Sequence, residues 1–406
     1  MLSDPIEKNR MPTADLRTKN EAPQRIHAAP SLRAFLELAF RPFYLAGSAW
    51  ALIAIGIWIY TPQVLTGPLQ GLAWHAHEML WGFIATIAVA FLMTAGANWT
   101  GINPMKDGAL ATACGLWLVA RIGFLAGGNG LFWVATAAEL GFFLLAAVAM
   151  MRAVIRAKNA RNYAVPWLLV GLGAADALYL LAARGGDYAL LMQRFNAGLL
   201  VMALIALLIS RRVIPFFAMR AVTGLTIPKH TRSGQLQLAA CAAGVVFLLA
   251  GLRVATAVAL GLAGALSLLQ VVTWKPYAVR GNPLLWILYV GYTGLGLGLL
   301  MAACAAAGVS LPRVLPVHMI AMAGFSVLII GMMTRTSLGH LGHPLASDRS
   351  MRVSYGLMLI AVALRLVAIA PSAFSLLALQ LSAAAWIAAL ALYLWRFAPL
   401  MIRPRQ

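Results

Sequence analysis

Long unbroken runs of apolar residues recur along the chain from Phe43 almost to its C-terminal end, and the short segments between them hold most of the charge. At 1.5 Å per residue, 18 or more apolar residues in a helix cross a hydrocarbon core of roughly 30 Å. The runs are continuous and do not alternate, which argues against strands. The pattern predicts spans at 43–60, 74–97, 108–126, 131–152, 163–183, 187–209, 235–252, 254–273, 283–308, 314–334, 351–370 and 372–396. The predicted fold class is therefore an all-α, polytopic transmembrane helical bundle of about twelve spans. A composition 62% hydrophobic and 10% charged excludes an ordinary soluble domain.

Charge placement changes the picture drawn from net charge alone. A formal +20 suggests a nucleic-acid partner. Of the 31 Lys and Arg, however, only Arg121, Arg184, Arg194, Arg253, Arg313 and Arg365 fall outside the two tails and the loops that follow even-numbered spans. That is the positive-inside pattern of a cytoplasmic membrane protein, with both termini cytoplasmic and no nucleic acid bound. The seventh and eighth spans share a tight turn around Arg253. Merging them would put Lys229 and Lys275 on opposite sides, against the bias, so both are kept.

Three segments follow. Residues 1–42 form a cytoplasmic tail, polar and disordered over 1–30, with an amphipathic interfacial helix over 31–41 capped by Ser31 and turned into the membrane by Pro42. Residues 43–396 form the membrane domain, and 397–406 a basic tail. The first 42 residues hold no early apolar core, so no cleavable signal peptide is expected. Cys114, Cys241 and Cys304 lie in three different apolar runs and read as small buried hydrophobes.

Topology gives the histidines a depth. His75 and His77 enter the second span at its outer end, and His318 enters the tenth span at the same level. His340 belongs to the inner face, with His343 beside it in a Gly- and Pro-containing stretch that favours a loop. One metal centre cannot use both layers. Within "HAH", residues i and i+2 of a helix point roughly 200° apart. If the helix has begun by Ala73, His75 and His77 serve opposite flanks; if His75 is still in the loop, both converge on one ion. Met79 adds a soft sulfur to the His75 flank. The sequence shows no carboxylate or thiolate cage, which argues for haem iron or copper over zinc or calcium. The bland alternative is that such histidines bond only water, headgroups or a neighbouring carbonyl, and His27 and His230 are read that way.

Glu78, Arg121, Glu139, Asp176, Arg194 and Arg365 also fall inside apolar runs, all but Glu139 in the outer half. They either pair among themselves or serve a site. Arg121 and Arg194 are the guanidinium candidates for haem propionates. Trp74, Trp81 and Trp99 read as an interfacial belt. "GLGLG" at 294–298 and "GLAG" at 261–264 predict close helix packing. A faint echo links "HEMLWGF…FLMT" with "HMIAMAGF…GMMT", two spans that each start with His and end in Met-Thr.

"FRPFYLAGSAW", "LAWHAHEMLWGF", "AFLMTAGANWTG" and "GMMTRTSLGHLGHP" together resemble the NnrS family of bacterial membrane proteins, over the chain from about Phe40 to its C-terminus. The resemblance implies a haem- and copper-associated, multi-pass protein of the bacterial inner membrane, linked to nitric oxide metabolism, denitrification and relief of nitrosative stress. It carries the family's histidines onto His75, His77 and His318 on the outer side and His340 on the inner side. The expected ligand is nitric oxide or an iron-nitrosyl species, with an unknown electron donor. The competing class is a secondary transporter of a small anion, metabolite or metal complex, driven through the intramembrane carboxylates.

Overall fold

Each apolar run needs a helix because lipid offers no partner to a bare peptide group. A computed structural model describes residues 29–405. The expected disorder of residues 1–30 and the position of His27 fall almost wholly outside that range. Among the described residues there are twelve helices long and apolar enough to cross a membrane and no strand. In chain order they are α1 (Phe40–Tyr60), α2 (Gly71–Thr100), α3 (Asp107–Ala126), α4 (Asn129–Arg156), α5 (Ala160–Gly185), α6 (Tyr188–Ala221), α7 (Thr231–Leu249), α8 (Arg253–Thr273), α9 (Pro283–Ala306), α10 (Val314–Leu341), α11 (Arg349–Val367) and α12 (Ser375–Met401).

Short connections make most consecutive helices antiparallel neighbours, and α12 closes the bundle against α1. Both described ends of the chain meet at one end of the bundle. Ser31 N donates to Ile402 O at 2.8 Å, and the Arg41 guanidinium donates to Met401 O and Arg403 O. The loops after even-numbered spans lie at this end too. Apolar side chains such as Ile122, Leu144, Trp167, Val258 and Val272 stay exposed around the outside, as a bilayer environment requires.

α2 is the most enclosed span and touches α1, α4, α6 and α10. It and α10 share one construction. Each opens with a short α-helical segment, widens into π-helix (Glu78–Ala85 and Met319–Ser326), and closes with α-helix to a left-handed glycine, Gly101 or Gly342. Hydroxyls support both π segments: Thr86 donates to Trp81 O at 3.1 Å and Ser326 to Ala321 O at 2.8 Å, each bond reaching back five residues. The two π segments touch each other. α9 lies against that of α10 because a Cβ on Gly294 or Gly298 would strike the Ala323 carbonyl or Ile320. The glycine run thus does what its pattern predicted.

Several expectations need correcting. The helix over 31–41 is one turn, Leu32–Phe35, although Ser31 does cap it by accepting from Ala34 N at 3.3 Å. Pro42 does not precede the first span but occupies its first turn, where a missing N–H costs no helical bond. α6 continues past 209 to Ala221 and α10 past 334 to Leu341, so His340 is helical and only His343 follows the terminating Gly342. Trp74 and Trp81 are completely buried instead of forming an interfacial belt. The separation of the seventh and eighth spans holds: α7 and α8 are two helices, joined through a turn at Gly251 (φ 72°).

Candidate functional site

The start of α2 decides how its histidines are shared. The helix begins at Gly71, so His75 and His77 both sit on helical backbone and face opposite flanks. Each flank has its own polar neighbourhood.

On the first flank His75 and His318 line one cavity of about 690 Å³ between α1, α2 and the helices from α6 to α12. Its walls are mostly apolar, among them Leu72, Leu80, Ile84, Leu199 and Leu260. Arg313 and Arg365 bring positive charge, and Met79 and Met322 bring sulfur. His318 Nδ1 donates to Val314 O at 2.8 Å, which leaves Nε2 as its lone-pair nitrogen. The His75 ring stacks on Trp58 with centroids 5.0 Å apart, and its buried Nδ1 has no partner.

On the opposite flank His77 enters a closed ionic cluster. Its Nδ1 lies 2.9 Å from Glu78 Oε1; its Nε2 lies 3.0 Å from Asp176 Oδ1 and 3.3 Å from Glu139 Oε2. Glu78 Oε2 accepts from Trp50 Nε1 at 2.6 Å and from Arg121 Nη1 at 2.5 Å. The second guanidinium nitrogen of Arg121 pairs with Glu139 Oε1. All five charged or titratable side chains are at most 2% exposed. Trp81, Tyr179 and Phe124 surround the imidazole. A Cβ at position 82 would collide with the Arg121 guanidinium, so the glycine one turn after Glu78 is the notch that admits it.

This cluster corrects two expectations. Glu139 lies at the depth of His77, its Oε2 3.3 Å from the ring Nε2. A carboxylate cage is present: α2, α4 and α5 assemble it from acids too far apart in sequence to show a motif. Of the other residues singled out, Arg121 belongs to the cluster and does not line the cavity. Arg194 is half-buried on α6 and does not line it either. His340 sits at the tail end of α10 against the Phe40 ring, 5.5 Å away, remote from both flanks. His230 is satisfied locally by Thr273 Oγ1 at 2.8 Å. Arg313 and Arg365 were visible only as a loop residue and one of six buried charges. Nothing in their local sequence separates them from Arg194.

A family model described as NnrS protein matches residues 34–405, nearly the whole described chain. The chain belongs to the NnrS family. No curated protein matches it. Membership in the NnrS family fits a multi-pass membrane protein related to nitric oxide, and the buried imidazole and carboxylate groups are consistent with a metal or haem cofactor.

Proposed function

We propose that this NnrS-family protein is a haem protein, with copper as a second metal, that binds or transforms nitric oxide or iron-nitrosyl species in a cavity near the outer face of the bacterial cytoplasmic membrane. The observation that carries the reading is the meeting of His75 and His318, from two distant spans, in one largely apolar cavity of about 690 Å³. Its size falls within the ~300–1,000 Å³ usual for cofactor sites.

The residues fit a haem. His318 is held in the tautomer that offers Nε2, and the unpartnered buried Nδ1 of His75 is a polar atom awaiting a partner. Arg365, close to both imidazoles, and Arg313 in the cavity wall are the guanidinium groups that would meet propionates. Arg121 and Arg194 have no such place. When bound, haem iron supplies a coordination position for nitric oxide and a one-electron couple. The mostly apolar walls suit a small uncharged gas better than a charged solute. Copper would find soft donors in Met79 and Met322 beside the imidazoles. The basic residues gathered at the end holding both termini support a cytoplasmic assignment of that end. The carboxylates that a transporter would use lie in the closed cluster on the other flank, outside the cavity.

Absorption spectra and pyridine-haemochrome analysis of the purified protein test this. The wild type is expected to carry haem whose strong near-ultraviolet band shifts with nitric oxide, and His75→Ala and His318→Ala to lose most of it. A folded, colourless wild-type protein would remove the reading.

A further inference from the structure

The cluster on the far flank of α2 takes no part in the cavity, yet it is poorly balanced as a mere ion-pair network. Glu78, Glu139 and Asp176 oppose a single guanidinium, so with His77 neutral the group carries two net negative charges in a dry interior. Uncompensated charge there is too costly to persist. Each carboxylate of the pair facing His77 is also half-used. Glu139 Oε1 is held by Arg121, but its Oε2, aimed at His77 Nε2, accepts no hydrogen bond. Asp176 Oδ1 meets His77 Nε2, while its fully buried Oδ2 has no partner.

We propose that His77, Glu139 and Asp176 form a second metal centre for a divalent first-row ion such as Fe²⁺, Mn²⁺ or Zn²⁺. The three offer ligand atoms within 4.8 Å of one another. The 3.0 and 3.3 Å separations from His77 Nε2 match the ligand–ligand edges, about 3.0–3.4 Å, of a polyhedron with bonds of about 2.1 Å. Glu78 is the positioning residue: by accepting from Nδ1–H it turns the Nε2 lone pair toward the two acids, the carboxylate–histidine–metal arrangement. Arg121 and Trp50 hold Glu78 in turn. One doubly charged ion brings the cluster to neutrality. One imidazole and two carboxylates, with no sulfur, favour such an ion over copper(I).

This centre does not depend on the haem reading. The test is growth of cells making the full-length protein in manganese(II)-supplemented medium, followed by purification, metal analysis and electron paramagnetic resonance. The expected result is about one non-haem ion per chain, with ¹⁴N coupling from one imidazole. Asp176→Asn and Glu139→Gln, near-isosteric changes, should each lose the ion with haem content unchanged, and Glu78→Gln should weaken its retention about tenfold or more. A folded wild-type protein with no manganese, iron or zinc beyond its haem iron would overturn the proposal and leave protons as the balancing charge. So would variants that retain the ion as the wild type does. If neither variant folds, the wild-type ion count and its ¹⁴N coupling decide. A haem-free preparation that still holds the ion removes only the haem reading.

Discussion

His77 shows what a single position does in a dry interior. It has an acid at each ring nitrogen; Arg121 also holds Glu78 and Glu139, while Asp176 meets His77 alone. Arg121 bridges Glu78 and Glu139, so Arg121→Leu should destabilise the protein by about 3–5 kcal/mol, the cost of stranding buried charge. Thermal unfolding in detergent measures this, and Arg121→Lys should recover only part, since a single ammonium cannot span both acids. Gly82→Ala presses a methyl group against the same guanidinium and should cost about 1–3 kcal/mol. A neutral result there would mean that Arg121 relaxes freely. Neither effect was legible in the sequence: "HEMLWGF" announces a polar group in an apolar run, but its partners come from α3, α4 and α5.

At the scale of elements, α2 and α10 both depart from α-helix directly after a histidine, His77 or His318, and touch at those π segments. A π segment widens the helix by one residue per turn and shifts which side chains face a given neighbour. Thr86→Val and Ser326→Ala remove the hydroxyls that reach back to the freed carbonyls and should each cost about 1 kcal/mol. Amide exchange should rise first in the two π segments. The last two spans pack closely and also share one ion pair. Asp348 caps α11 by accepting from Met351 N at 3.0 Å and holds Arg396 of α12 at 2.7 Å. Partial burial pushes its carboxyl up, but the bonds from Arg396, Ser350 and Met351 outweigh that and keep it below its ordinary value. Its contribution is therefore full above the unfolded aspartate value of about 3.9 and is lost as pH falls through the lower folded one. Asp348→Ala should cost about 1 kcal/mol for the cap plus at most about 1 kcal/mol for a partly exposed, screened ion pair. Asp348→Asn should keep most of the cap, and its difference from the wild type should vanish in acid.

For the whole molecule, twelve helices place two polar neighbourhoods back to back across α2. A cofactor that binds only the folded state raises its melting temperature. Added haem should therefore stabilise apoprotein in a thermal-shift assay and leave the His75→Ala/His318→Ala double variant unmoved. An equal shift in both would place haem elsewhere. The echo between "HEMLWGF…FLMT" and "HMIAMAGF…GMMT" gains meaning at this scale, for the two spans share their α–π–α build and meet at their π segments. From sequence the match was faint because apolar residues repeat easily by chance.

Helix number, the all-α class and the common end of both termini follow from hydrophobic runs and loop charge, since lipid penalises every unpaired peptide group along the chain itself. The opposite facing of His75 and His77 was equally contained in their spacing, once the helix start at Gly71 was known. Which residues share a site is a different kind of question. His75 with His318 and Arg365, or His77 with Glu139 and Asp176, are joined by packing between spans far apart in the chain. Helix periodicity says which face a residue occupies and nothing about which helix lies against that face. The tertiary structure decided that, through glycine notches and two widened helices.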